Sequence, residues 1–77
     1  MTTYEFRLIC DKNKNYTPAN LMERYAKNNN LKIGYTPYFN TYIEIKGKYY
    51  IYDYWKIERL GIDQDIVRVF LKEITLN

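Results

Sequence analysis

Apolar and polar positions alternate from Thr3 to Ile9, with Tyr4, Phe6 and Leu8 on one side and Glu5 and Arg7 on the other. A period of two predicts a half-buried strand. After the polar run Asp11-Lys12-Asn13-Lys14-Asn15 the period changes. Thr17-Pro18 predicts a helix start, because threonine caps free amides and proline at the first helical position loses no hydrogen bond. Leu21, Met22, Tyr25 and Ala26 then recur at helical spacing as one apolar stripe. Asn28-Asn29-Asn30 ends the helix, since asparagine tolerates the left-handed cap.

Leu31 to Tyr35 predicts a short strand, broken by Thr36-Pro37. Tyr38 to Ile45 and Lys48 to Ile57 predict a hairpin turning at Lys46-Gly47. Two registers are open. A loop of Ile45-Lys46-Gly47 sets Glu44 opposite Lys48. It gathers Ile43, Tyr49, Ile51, Trp55 and Ile57 on one face and Tyr42, Tyr50, Tyr52, Tyr54 and Lys56 on the other. A shorter loop puts Ile43 and Ile45 beside Tyr50 and Tyr52 and leaves Glu44 among Tyr49 and Ile51. The first register separates apolar from amphipathic side chains more fully and is the one expected. It strands Asp53 in the apolar row, where an unpaired carboxylate is costly, so a bulge turning Asp53 outward, or hydrogen bonds at a sheet edge, is expected there.

In the last third, Ile66, Val67, Phe70, Leu71 and Ile74 fit a helical stripe. The density of β-branched residues over 66–76 favours a strand, with Asp63-Gln64-Asp65 as a turn. The predicted fold is α+β: a small antiparallel sheet of four to five strands with one helix, in the order β-α-β-β-β. A helical segment over 63–74 is the alternative.

The 77 residues form one expected domain, 1–77. A chain of this length buries roughly 60–65% of its unfolded surface, so the core is thin. Large rings, among them Phe6, Phe39, Trp55 and Phe70, strengthen such a core without disulfides or metal, and homodimerisation is a further route. Ten residues are tyrosine, and four of them crowd Tyr49-Tyr50-Ile51-Tyr52-Asp53-Tyr54-Trp55.

There is no serine, no histidine and a single cysteine, Cys10. This excludes serine- or histidine-assisted acyl transfer and a Cys/His zinc site. Cys10 reads as a small buried side chain near the end of the first strand. No phosphate-cradling or dinucleotide glycine motif occurs. Asp63 and Asp65, with Asp53 or Glu58, offer the sole hint of a divalent-ion site, and beside Gly61 they read as a turn or cap. No cofactor and no enzymatic activity are expected. The opening residues lack a basic stretch followed by an apolar run, and no apolar stretch is long enough to span a bilayer. No membrane partner is expected, and a cytoplasmic location is.

The net charge of +3 is too small for a dedicated duplex binder. The tyrosine strip carries the functional expectation. Tyr42, Tyr50, Tyr52 and Tyr54, with Lys48 and Lys56, are the candidate partner-binding residues, because amphipathic rings left open on a sheet mark contact surfaces. The expected function is a small non-catalytic protein-binding module, a stoichiometric inhibitor or adaptor acting on a larger protein or ribonucleoprotein complex, as monomer or homodimer. Small cysteine-poor chains with AT-rich codons are common among phage and mobile-element accessory genes, which makes blockade of a host defence complex, in the anti-CRISPR manner, one expectation. The alternative is a single-stranded nucleic-acid-binding domain, with bases stacked on the tyrosines and lysines following the backbone.

Overall fold

The computed structural model describes residues 3–12, 14, 16–38 and 40–75. Asn13 and Asn15 of the polar run, the expected ring anchor Phe39 and the strand's last expected residue Leu76 lie outside them. The elements are β1 (Thr3–Asp11), α1 (Pro18–Asn28), β2 (Lys32–Tyr35), β3 (Thr41–Ile45), β4 (Lys48–Arg59) and β5 (Gln64–Ile74). They form one antiparallel sheet of five strands, ordered β1-β5-β4-β3-β2, with α1 packed on one face. The α+β fold and its order are as expected, and the last third is strand.

Local signals explain both ends of α1. Thr17, in extended geometry, accepts a hydrogen bond from the Asn20 N–H at 3.2 Å, and Pro18 opens the first turn. At the other end Asn30 takes φ 55°. The Leu31 N–H donates to the Ala26 carbonyl at 2.8 Å and the Asn30 N–H to that of Lys27 at 3.4 Å, the paired closure of a left-handed cap. Because β1 and β2 are the two edge strands, α1 spans the sheet between them and buries Leu21, Met22 and Ala26.

The core lies under that stripe. It holds Phe6, Leu8 and Cys10 from β1, Ile43 and Ile45 from β3, Tyr50 from β4, and Val67, Val69 and Leu71 from β5. Cys10 is a buried free thiol, as expected.

The β3–β4 hairpin corrects the expected register. Lys46 and Gly47 both take positive φ, 51° and 80°, which makes a two-residue turn whose twist matches the strands it joins. Ile45 faces Lys48, Glu44 faces Tyr49, Ile43 faces Tyr50 and Tyr42 faces Ile51. The shorter loop prevails because it sends Ile43, Ile45 and Tyr50 together beneath the helix, where they are 0%, 8% and 4% exposed.

Asp53 is then the extra residue of a bulge. Tyr52 pairs with Leu71 and Tyr54 with Phe70, so Asp53 is left over and exposed. An extra residue shifts the two-residue period by one. Upstream, the even-numbered Tyr50 and Tyr52 face the helix; downstream, the odd-numbered Trp55 does, packing on Tyr16 and Tyr52.

Candidate contact surface on the open sheet face

The face opposite α1 carries Lys32 and Gly34 of β2, Tyr42 and Glu44 of β3, Tyr49, Ile51, Tyr54, Lys56 and Glu58 of β4, and the even-numbered side of β5 from Ile66 to Ile74. Pairing registers place them together. On β1 the same side holds Thr3, Glu5, Arg7 and Ile9. None of these belongs to the cluster packed against the helix.

Two aromatic groups stand on this face. Tyr54 stacks on Phe70 with ring centroids 4.5 Å apart and planes 9° apart, and Tyr54 remains 44% exposed. The Lys56 ammonium lies 5.8 Å and the Arg68 guanidinium 5.3 Å from the Phe70 centroid, so cations frame that ring. Towards the β2 edge, Tyr42 meets Tyr49 edge to face at 5.4 Å. The Tyr42 ring lies over Gly34: a β-carbon there would fall 2.6 Å from the Tyr42 hydroxyl, so the lack of a side chain at Gly34 makes room for the ring. Ile51 and Ile74, with Tyr38, line a shallow groove of about 230 Å³ on the β2–β3 side.

The charges here are mixed and largely satisfied. Arg68 donates to Glu5 at 3.0 and 3.3 Å and to Glu58 at 3.2 Å, and Arg7 donates to Glu5 at 3.3 Å. The Arg68 hydrogen bond holds the Glu5 carboxyl below its ordinary value; desolvation opposes it, and the Arg7 hydrogen bond adds to the lowering. The same bond to Glu5 raises the Arg68 guanidinium. Lys32 sits opposite Glu44, a favourable cross-strand pair.

The structure divides the expected site residues. Tyr42, Tyr54 and Lys56 share the open face. Tyr50 and Tyr52 do not join them, because the turn and the bulge point both rings at α1; Tyr50 is 4% exposed, and Tyr52 is half-buried against Trp55. Lys48 is exposed beside the hairpin turn, 3.8 Å from Glu73. Tyr49, Ile51, Phe70 and Arg68 belong to the open face although the sequence reading did not place them there. A two-residue turn would have assigned Tyr49 and Ile51, whereas Phe70 and Arg68 are placed by the register of β5 on β4. The acids considered for an ion are dispersed: Glu58 pairs with Arg68, Asp65 lies 3.7 Å from Lys12, and Asp53 is exposed on the bulge. No group of three potential metal ligands occurs among the described residues, and none of their helices is long and apolar enough to cross a membrane. Away from the sheet face, Tyr35 and Tyr38 near the β2–β3 connection and Leu60 and Ile62 at the β4–β5 turn are also exposed.

No family model matches the chain, and neither the curated proteins nor the solved structures include a match to it.

Proposed function

We propose that this chain is a non-catalytic protein-binding module that docks a larger protein through its open sheet face, centred on Tyr54. The observation carrying this reading is the Tyr54–Phe70 stack on the face opposite α1, in which Phe70 is buried and supports a Tyr54 ring left 44% exposed. Rigid rings presented at low entropic cost are the usual anchors of protein contacts. The interspersed Glu5, Glu44 and Glu58 favour a partner with charges of both signs over a polyanion. A single strand of nucleic acid calls for free cations along its backbone, whereas Arg68 is held by two carboxylates. Docking one to one and occluding the partner's working surface suits a chain this small.

The test is recovery of partners from the native host with and without nuclease, comparing the wild type with Tyr42→Ala, Tyr54→Ala and, as a control at the distal turn, Ile62→Ala. Tyr54→Ala is expected to weaken a nuclease-resistant complex by about tenfold or more, as loss of a contact anchor does, while the fold loses only about 1 kcal/mol. Undiminished binding in both tyrosine variants would remove the face from consideration. A steep fall in affinity with salt would instead point to nucleic acid.

A further inference from the structure

We infer that the free edge of β1 is a self-recognition surface, through which two copies of this chain join in an antiparallel dimer centred on Phe6. β1 pairs only with β5 among the described residues, so its other edge has no partner strand there, although the Asp11 carbonyl at its end accepts from the Lys14 N–H at 3.2 Å. The backbone groups that face outward can be identified. The Lys12 N–H donates to the Asp63 carbonyl at 2.9 Å, extending the ladder in which even-numbered residues of β1 bond β5. Thr3, Glu5, Arg7 and Ile9 therefore turn their amides and carbonyls away from the sheet. The Ile9 carbonyl shows this directly, accepting from Arg24 Nη2 at 2.7 Å.

An added antiparallel strand must set outward residues opposite outward residues. Centring the pair on Glu5 would place Glu5 against Glu5 of the second copy, and centring it on Arg7 would place Arg7 against Arg7. Like charges directly opposite are unfavourable. Centring it on Phe6 sets Glu5 opposite the second copy's Arg7 and Arg7 opposite the second copy's Glu5, on the same face of the sheet. The charges that would deter a foreign strand at this edge thus select a second copy of this one. Arg24 occupies one acceptor site of the Ile9 carbonyl; a carbonyl has two, and the central pairs at Glu5 and Arg7 are clear of it. Such a dimer makes one sheet from both chains and continues the open face across the twofold axis. It does not depend on the function proposed above.

The test is sedimentation of the full chain over a range of concentrations, with melting checked for each variant. The wild type is expected to form a reversible dimer. Arg7→Glu makes both charged edge positions acidic and Glu5→Arg makes both basic; each places two like pairs across the axis and is expected to weaken association by on the order of tenfold. Mixed together, the two variants are expected to associate as heterodimers at concentrations where neither does so alone. A wild type that is monomeric at the highest concentration reached, or a dimer as tight in Arg7→Glu as in the wild type, would overturn the inference. Tyr54→Ala is expected to leave the dimer unchanged, which separates this outcome from failure of the proposed function.

Discussion

Between α1 and the sheet, Tyr25 of the helix joins Tyr4, Tyr16, Tyr50 and Tyr52 around Phe6 and Trp55, and the Tyr4 and Tyr25 hydroxyls hydrogen-bond each other. Across the sheet, Tyr42, Tyr49 and Tyr54 have no helix to meet and cover one another or Phe70. The residue type is the same on both faces, so its abundance does not decide which rings form the core and which stay open. Backbone phase does, and it is set at two places: the Lys46-Gly47 turn and the Asp53 bulge. Half of the tyrosines thus belong to the core of a domain too small to build one from aliphatic side chains alone. What remains for contact is a narrower strip than the tyrosine count implies.

Truncation should separate the two faces most sharply. Phe6 is 4% exposed and stacks on Tyr25 at 4.2 Å. Phe6→Ala is expected to cost about 3–5 kcal/mol in denaturant unfolding, as core ring deletions do. Tyr54→Ala, on the open face, is expected to cost about 1 kcal/mol, the worth of an aromatic pair that remains partly solvated. Equal losses at the two positions would mean that the open face is a second core rather than a surface.

Gly34→Ala acts on the open face alone. Its new β-carbon meets the far end of the Tyr42 ring, which must shift to admit it. The expected cost is about 1 kcal/mol, with loss of the edge-to-face contact to Tyr49 visible in near-ultraviolet dichroism. An unchanged aromatic signal would show that Tyr42 does not rest on Gly34.

Deleting Asp53 tests the bulge. Without it, Tyr52, Tyr54 and Trp55 alternate inward, outward and inward with no irregularity, the same sides they already occupy. The deletion is therefore expected to fold with a change below about 1 kcal/mol and with Trp55 fluorescence preserved, because a bulge is an added residue in an otherwise regular ladder. A displaced tryptophan signal would show that the bulge does more than restore phase.

How much of this was legible in the chain follows from the same two places. The β1 alternation, the Thr17-Pro18 start, the asparagine stop and the order of elements are local patterns, and local physics carries them. The face assignment of β4 is not local. Lys46-Gly47 marked the turn, but lysine seldom adopts positive φ, so the pair did not mark the two-residue form over the longer loop. Asp53 did mark a bulge, since a carboxylate fits poorly in an apolar row. The consequence of that bulge for Trp55 and Ile57 depended on having the upstream register right. Separating apolar from amphipathic rings also misled, because tyrosine buries well when its hydroxyl stays near water or, as for Tyr4 and Tyr25, finds a partner.

The last contrast between the faces is a pair of pH limbs, one from each. Burial, reinforced by the hydrogen bond to Tyr4, pushes the Tyr25 hydroxyl up to about 12 from an ordinary value of 10.0. Folding favours the neutral phenol, so this stabilisation is complete below about pH 10 and is lost as pH rises towards about 12. Glu5 behaves oppositely. Its carboxyl is held below the ordinary 4.5, chiefly by Arg68. The ionised form is favoured by folding, so that contribution is present above pH 4.5 and lost as pH falls beneath it. Melting temperatures across pH should show Tyr25→Phe flattening the alkaline limb alone and Glu5→Gln flattening the acid limb alone. If either substitution moved both limbs, the two faces would share an electrostatic network through the sheet, and their separation into core and surface would fail on chemical as well as geometric grounds.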